Sequence, residues 1–359
     1  MRKYYIDNIR WITIVCVVIY HVVYIFNGVQ PYGVIGAFRE NQWQDAIQYL
    51  LYPWFMVLLF IVSGMSSRYY LEKHTDKEFL KSRTDKLLIP STAGLFVFQW
   101  TQGYYNMQIS NAFETIPDTV PKPIKFIIMC ISGTGVLWFI QVLWVDSLIL
   151  FFVRKFEKDK LYNKCGNIPV WAVILMVIPL WLFAQILNTP MITVYRFGIY
   201  GFAFFVGYFV FSHDEVINRL EKLWYVFAVC AVILGISCTY IYFGENYTDF
   251  KILNNPLMIA YAWAGSLAML TCCKKFLDFR NKFTDFMSSQ SWGIYVFHYL
   301  FLSIPAYYMT DSGIQPFLQY IICTVSAFVG AVITYNIISR IPVLRYLILG
   351  KRGKKNVQR

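Results

Sequence analysis

The first long apolar segment carries two residues that could do chemistry, Arg10 and His21, within the run RWITIVCVVIYH. In an α-helix, eleven positions turn through about 1100°, roughly 20° beyond three full turns, and rise about 16.5 Å. Both side chains therefore face the same way, Arg10 near one edge of a bilayer core and His21 near its middle. A neutral imidazole can take a proton from an attacking hydroxyl near pH 7. The alternative is a histidine that only hydrogen-bonds between packed helices.

A later apolar segment, SWGIYVFHYLF, contains a second set of polar residues. Ser291, Tyr295 and His298 stand at offsets of 0, 4 and 7, which places them along one side of a helix. We expect Tyr295 and His298 to contribute to substrate binding. A polar contact between two helices would give the same pattern.

Two further charged residues interrupt apolar sequence. Asp146 lies in LWFIQVLWVDSLILFF, where a carboxyl group needs a partner, so it has a role in substrate or proton handling or pairs with an arginine. Arg196 falls on the predicted outer side, where topology disfavours a cation. It suggests binding of a carboxylate or a sugar-linked anion, although pairing with an outer acid such as Glu114 would explain it equally well.

Three cations near predicted cytoplasmic helix ends, Arg68, Arg83 and Lys86, could bind a polyphosphate. Arginine contacts phosphate oxygens through a bidentate fork, and lysine acts as a point charge. Cations at such positions also serve topology alone. The chain has no P-loop, Rossmann glycine fingerprint, GxSxG or HExxH motif. Metal and hydride chemistry are therefore disfavoured, no metal is expected, and group transfer from a phosphate-bearing donor is favoured.

These side chains must be positioned by helices that cross a membrane. With 58% hydrophobic and 14% charged residues among 359, the composition excludes a soluble domain. The predicted fold class is all-α: a polytopic membrane protein of about ten transmembrane helices, forming a single integral membrane domain over 1–359. The spans are predicted at 9–27, 46–66, 87–107, 136–153, 169–187, 195–211, 223–243, 255–273, 291–309 and 317–339.

The distribution of the 32 Lys and Arg residues predicts the orientation. With both termini in the cytoplasm, nearly all of them fall on the inner side, as the positive-inside rule requires. The exceptions are Arg39, Lys122, Lys125, Arg196 and Lys251. The net charge of +12 is therefore an orientation signal and a weak attraction to anionic membrane lipids. No nucleic-acid-binding module is visible.

Two segments outside the spans are also informative. The outer segment 108–135 contains prolines and a short apolar stretch, which predicts a partly re-entrant or interface-lying lid. The basic tail 351–359 is interpreted as a solvated anchor that fixes topology.

The ordered motifs resemble the acyltransferase-3 family of integral membrane acyltransferases. They are Arg-x10-His at 10–21 preceded by YIDNIR, FIVSGM at 60–65, Arg83 to Lys86 followed by LLIP, LWFI at 137–140, and SxxxYxxH at 291–298. The compact form is similar to the periplasmic glucan succinyltransferase branch. The resemblance implies transfer of an acetyl or succinyl group from cytosolic acyl-CoA, as co-substrate, to a hydroxyl of a sugar or glycan acceptor at the outer side of the cytoplasmic membrane.

The same resemblance implies residue roles. His21 becomes the catalytic residue, and Arg10 either binds the donor or supports His21. Arg83 occupies the first basic position of the family's inner-loop Arg-x-x-Arg, whereas Lys86 stands at the second, which keeps the charge and loses the fork. Trp138, Tyr195 and Arg196 are expected to hold the acceptor.

The rise from Arg10 to His21 is on the scale of the pantetheine arm of CoA. Nucleotide phosphates among Arg10, Arg83 and Lys86 could therefore leave the thioester near His21. The alternative is a proton-coupled secondary transporter or exporter of a small anion or glycan, which intramembrane His, Asp and Arg would also suit. The sequence leaves the oligomeric state open.

Overall fold

The computed structural model describes residues 3–29, 33–40, 42–189 and 193–352, and these are folded almost entirely as helices. In chain order the helices are α1 (Tyr4–Tyr24), α2 (Ala46–Leu71), α3 (Asp76–Arg83), α4 (Ile89–Gly94), α5 (Trp100–Ile109), α6 (Ala112–Thr115), α7 (Lys122–Ser132), α8 (Trp138–Glu157), α9 (Lys160–Cys165), α10 (Val170–Leu175), α11 (Val177–Ala184), α12 (Phe197–Val206), α13 (Asp214–Glu221), α14 (Trp224–Tyr242), α15 (Phe250–Leu253), α16 (Pro256–Phe276), α17 (Lys282–Met309), α18 (Pro316–Ile338) and α19 (Pro342–Leu349). The all-α prediction is confirmed.

Six helical segments of the described chain are long and apolar enough to cross a membrane. They are Tyr4–Tyr24, Trp43–Leu71, Gly135–Glu157, Trp224–Tyr242, Pro256–Phe276 and Pro316–Ile338. The protein is therefore a multi-pass membrane protein. The predicted spans at 169–187 and 195–211 correspond to shorter apolar helices, Val170–Ala184 and Phe197–Phe211.

The remaining two predicted spans, 87–107 and 291–309, also fall in helices. The first lies between Asp76 and Ile109, where π-helical turns at Thr84–Leu88 and Leu95–Gln99 separate α3, α4 and α5. The second lies in α17, which has 28 residues and whose polar positions lower its hydropathy. Ten spans and the orientation of the termini stay predictions.

α2 packs closely against α12 and against the π-helical turn Gly207–Phe211 that follows α12. A Cβ on Gly64 would lie 1.9 Å from the carbonyl oxygen of Phe204, and a Cβ on Gly207 would lie 2.0 Å from that of Ile61. The two backbones touch because neither position carries a side chain, as is common between helices in membranes. The helix that carries Ser63 and Ser66 is thereby held in place.

α17 begins with a capping box in which Asn281 and Thr284 bond each other's backbone N–H. It packs closely on α18, because a Cβ on Gly293 would meet the ring of Tyr335 at 2.3 Å. Another face of α17 lies against α1. This arrangement brings the polar side of α17 next to the side of α1 that carries Arg10 and His21.

The outermost helices expose apolar side chains. Only 17% of the most apolar 18-residue stretch of α14 is buried inside the protein, and only 28% of the corresponding stretch of α18. An apolar helix that leaves most of its surface uncovered by protein is suited to contact with lipid. α14 and α18 therefore present lipid-facing surface, and we expect a functional site among the more deeply buried helices.

The predicted lid at 108–135 forms two helices, α6 and α7. α7 has 11 residues and packs on α5, because a Cβ on Gly103 would lie 1.8 Å from the carbonyl oxygen of Met129. A helix of this length rises only about 16 Å and cannot cross the hydrocarbon core alone. The function of this segment as a lid stays a prediction.

Candidate active site

α1 and α17 bring two histidines into contact. His21 Nδ1 lies 3.1 Å from His298 Nε2, and the ring centroids are 5.1 Å apart. His298 is completely buried, whereas His21 is partly exposed to a cavity. The predicted polar side of α17 therefore faces the predicted polar side of α1.

The surrounding carbonyls assign the tautomer of each neutral histidine. His298 Nδ1 lies 2.9 Å from the carbonyl oxygens of both Ile294 and Tyr295. A carbonyl can only accept, so Nδ1 of His298 carries the proton and its Nε2 carries the lone pair. His21 Nδ1 faces that lone pair and the carbonyl oxygen of Val17, 2.9 Å away, so it must donate. The lone pair of His21 is therefore on Nε2.

His21 lines a cavity of about 400 Å³, which we call the histidine cavity. Aromatic rings form much of its wall, and hydroxyl and amide groups provide hydrogen-bonding positions. The aromatic residues are Tyr20, Tyr24, Tyr52, Trp138, Tyr295 and Tyr299, and the polar ones include Asn106, Ser110, Ser132, Thr193 and Thr248. Trp138, which was predicted to hold the acceptor, lines this cavity, and its role stays a prediction.

A second cavity, of about 310 Å³, lies at the Arg10 end of α1, and we call it the basic cavity. Four cations line it: Arg10, Arg83, Lys86 and Lys351. Among the described residues of its wall there is no aspartate or glutamate. Cations without acids in the wall make this cavity suited to an anion.

The two arginines of the basic cavity are held by serines of α2. Arg10 donates to Ser66 Oγ and also pairs with Asp7 at 2.9 Å. Arg83 donates to Ser67 Oγ at 2.8 Å. Burial, and then the positive charge of Arg10, lowers the pKa of Arg83 to about 10, well below its ordinary value. Arg83 therefore stays charged at neutral pH, although its surroundings disfavour the charge. A bound anion would stabilise the charged guanidinium.

Tyr295 is the residue that the two cavities share in the described part of the chain. Its hydroxyl donates to the carbonyl oxygen of Val136, and its ring packs edge-on against Phe139. Ser291, one turn away, lines the basic cavity, and His298 contacts His21. The predicted alignment of Ser291, Tyr295 and His298 is thus observed, with Tyr295 between the cavities.

The side of α1 that faces both cavities follows the predicted helical repeat. Arg10 and Ile14 line the basic cavity, and Val17 and His21 line the histidine cavity. The shared face of Arg10 and His21 is therefore observed, and this face is walled by protein.

Arg68 is not brought to the basic cavity. Its guanidinium pairs with Asp159 at 2.7 Å and lies 3.5 Å from the ring centroid of Tyr162. Arg154 joins the same cluster, since it lies 3.7 Å from Asp159, and it also pairs with Asp76 at 2.7 Å. These contacts connect α2, α3, α8 and α9, and the predicted role of Arg68 in donor binding gains no support from them.

Two other predicted site residues also lie outside both cavity walls. Arg196 is 4% exposed and donates to Asn254 Oδ1 at 2.6 Å, and no ion pair with Glu114 is found among the described residues. Asp146 is 2% exposed and faces Gly201 of α12, where a Cβ would lie 3.4 Å from Oδ1. No described arginine pairs with Asp146. Their predicted roles in substrate binding stay untested.

Tyr195, also predicted to hold the acceptor, does not line the histidine cavity but contacts Trp138, which does. Its hydroxyl donates to Gln141 Oε1, and its ring lies 6.4 Å from that of Trp138. Tyr195 therefore packs against Trp138 outside the cavity wall.

Sequence reasoning missed Lys351. The tail was interpreted as a topological anchor, yet Lys351 lines the basic cavity, while 353–359 lie outside the described residues. The available signal was Gly350, which can end a helix and turn the chain back. Trp292 of α17, which lines the same cavity, was missed as well.

Across residues 3–29, 33–40, 42–189 and 193–352, no three His, Cys, Asp or Glu side chains lie together in a way that could hold a metal ion. The expectation of a metal-free reaction stays a prediction.

The helices and cavities define a multi-pass membrane protein in which a cavity lined by His21 lies beside a cavity lined by four cations. A family model described as an acyltransferase domain, Acyl_transf_3, matches residues 3–336. The chain therefore belongs to the acyltransferase-3 family, as its motifs predicted, and this family suggests membrane acyltransferase activity. Comparison with curated proteins and with solved structures finds no match.

Proposed function

We propose that the protein is an O-acyltransferase of the cytoplasmic membrane. It moves an acetyl or succinyl group from cytosolic acyl-CoA to a hydroxyl of a sugar or glycan at the outer side. The observation that carries this proposal is the position of Tyr295, which lines both a cavity with four cations and a cavity that contains a histidine with its lone pair on Nε2.

The basic cavity suits the phosphates of the donor. The nucleotide end of CoA is a polyanion, and Arg10, Arg83, Lys86 and Lys351 supply opposite charge within one wall. The pantetheine arm would extend along the face of α1 that carries Ile14 and Val17. The rise of about 16.5 Å from Arg10 to His21 matches the scale of that arm. The donor then does not need to cross the membrane as a whole.

The histidine cavity suits an uncharged acceptor with several hydroxyl groups. Tyrosine and tryptophan rings can cover the apolar face of a sugar ring, while Asn106 and Thr248 can bond its hydroxyls. His21 lies in the same wall, so an acceptor hydroxyl held there can reach Nε2.

In the proposed reaction, His21 acts as a general base. The acceptor hydroxyl attacks the thioester carbonyl carbon while His21 Nε2 takes its proton. The tetrahedral intermediate then expels the CoA sulfur, which recovers the proton from His21, and the products are an ester and CoA with a free thiol. While His21 is protonated, its Nδ1–H still donates to His298 Nε2, which holds the ring and disperses the charge. Such proton transfer contributes about 10²- to 10⁴-fold to a rate.

The experiment compares wild type, His21→Asn and His74→Asn, all purified in detergent and incubated with labelled acetyl-CoA and succinyl-CoA. His74 is exposed and lines neither cavity, so His74→Asn is the matched control. We expect His21→Asn to bind donor like wild type and to lose at least about 100-fold in transfer or in slow donor hydrolysis.

Transfer by His21→Asn at the wild-type rate would remove His21 from the mechanism. Movement of a small anion across proteoliposomes by a protein that binds neither acyl-CoA would support the transporter instead.

A further inference from the structure

We propose that residues 350–352, which follow α19, complete the phosphate site, with Lys351 as a donor-binding residue. This inference rests on the proposed function, because it assigns a role within the same donor site. Lys351 lines the basic cavity together with Arg10, Arg83 and Lys86, although it comes from the opposite end of the chain.

The path of the chain at Gly350 brings Lys351 to this position. Gly350 ends α19 with φ at +64°, a left-handed conformation that favours glycine. A Cβ at this position would lie 2.2 Å from the carbonyl oxygen of Asp85. The chain therefore turns directly against the π-helical turn that carries Lys86, and the next residue enters the cavity wall.

Three contacts hold the segment in this place. Arg352 pairs with Asp85 at 2.7 Å, and the hydroxyl of Tyr346 donates to the same carboxylate at 3.0 Å. On the other side, Trp292 Nε1 donates to the carbonyl oxygen of Leu349 at 3.2 Å. The segment is thus fixed on both flanks of Lys351.

These contacts also occupy the carboxylate of Asp85. Asp85 lies in a neighbouring surface pocket with Tyr346 and Arg352 and does not line the basic cavity. Lys351 Nζ instead donates to the hydroxyl of Tyr335 and lies 4.7 Å from the centroid of its ring. An ammonium has three donors, so the contact with Tyr335 leaves others for phosphate oxygens. Lys351 therefore acts as a cation for the ligand and not as an ion-pair partner of Asp85.

The test measures the dissociation constants of CoA and of pantetheine, which lacks the nucleotide phosphates, for the purified full-length protein. We expect Lys351→Gln and Lys351→Met to weaken CoA binding about tenfold and to leave pantetheine binding unchanged. Lys351→Arg should keep wild-type affinity. Lys155→Gln is the matched control, because Lys155 lies 4.5 Å from the ring centroid of Phe151 and outside the cavity wall.

The supporting contacts give an independent readout. Arg352→Gln removes the ion pair with Asp85 without removing a cavity cation, so CoA binding should weaken by a smaller factor, about two- to fivefold. Thermal unfolding in detergent establishes that each variant is folded.

Wild-type affinity for CoA in Lys351→Gln and Lys351→Met, together with loss of affinity in Arg83→Gln, would overturn this inference and leave the proposed function standing. Failure of the wild-type protein itself to bind CoA would instead reject the donor, and the role of Lys351 with it.

Discussion

His298 Nε2 lies 3.1 Å from His21 Nδ1, although 277 residues separate the two histidines in the chain. Since His298 Nδ1 donates to backbone carbonyls, its Nε2 can only accept, and the proton of His21 is held on Nδ1. The basic nitrogen of His21 is thereby Nε2. His298 is a positioning residue for His21.

Removing the hydrogen-bond acceptor at position 298 should slow the chemical step without changing the binding of acyl-CoA. The hydrogen bond from a protonated His21 involves a charged donor, so His298→Phe should lower kcat about 10- to 100-fold while KM for acyl-CoA stays unchanged. His298→Gln, whose amide oxygen can accept, should recover part of the loss. The measurement is steady-state transfer over a range of donor concentrations.

A purely structural role for His298 would show a different pattern. His298→Phe and His298→Gln would then lower thermal stability together, and kcat for the folded fraction would equal that of wild type. That result would contradict the role of His298 in positioning His21.

When no donor is bound, the ring of Tyr295 should block small reagents between the two cavities, and the pantetheine arm of the proposed donor must displace this ring to reach His21. We expect Tyr295→Gly to connect the two cavities, because its ring is the part of the described wall that both share. The test uses protein whose native cysteines are replaced. A single cysteine is then introduced, by Ile14→Cys in the basic cavity or by Met56→Cys in the histidine cavity. Its labelling by a membrane-impermeant thiol reagent is measured. Each cysteine should be labelled from one side of a vesicle only, and from both sides when combined with Tyr295→Gly.

Tyr295→Phe is the control, because it keeps the ring and removes only the hydrogen bond to Val136. One-sided labelling that persists in Tyr295→Gly would show that other residues form the barrier.

The charge of the basic cavity should make donor binding depend on pH. Because the pKa of Arg83 is lowered to about 10, Arg83 is protonated at neutral pH and loses its charge as the pH rises through 10. Affinity for adenosine 3′,5′-bisphosphate should therefore stay constant between about pH 7.5 and 8.5, where its phosphates keep their full charge, and should weaken above about pH 9.5. Isothermal titration of wild type and Arg83→Gln checks this. An equally steep decline in Arg83→Gln would assign the effect to another group.

Lys86→Arg tests the departure of this chain from the family motif. If the cavity needs only charge at this position, Lys86→Arg should bind CoA within about twofold of wild type, whereas Lys86→Gln should bind about tenfold more weakly. Rising salt should weaken wild type more steeply than Lys86→Gln. Equal affinity for CoA in all three proteins would exclude Lys86 from the donor site.

Close helix packing at Gly64 should not tolerate a methyl group. Gly64→Ala places Cβ 1.9 Å from the carbonyl oxygen of Phe204, so α2 and α12 must move apart, at a cost of about 1–3 kcal/mol or more. Gly201→Ala, in α12, is the matched control, because its Cβ would meet Asp146 Oδ1 at an ordinary 3.4 Å. Thermal unfolding in detergent should show loss of stability for Gly64→Ala only. Equal stability of the two variants would contradict the packing argument.

The sequence alone determined the features that a helical repeat can carry. Apolar length predicted the membrane class, and the spacing of Arg10 from His21 predicted one shared face. The spacing of Ser291, Tyr295 and His298 predicted another. These inferences hold because the helix geometry that fixes them is local.

Only the tertiary structure decided which faces meet and which cations reach a cavity. The contact of His21 with His298 and the entry of Lys351 beside Lys86 join distant parts of the chain through helix packing. A cation near a helix end looks the same in sequence whether it lines a cavity, as Arg83 does, or pairs with a neighbouring acid, as Arg68 does. That choice depends on which neighbours the folded chain brings to the side chain, and spacing along one helix contains no information about them.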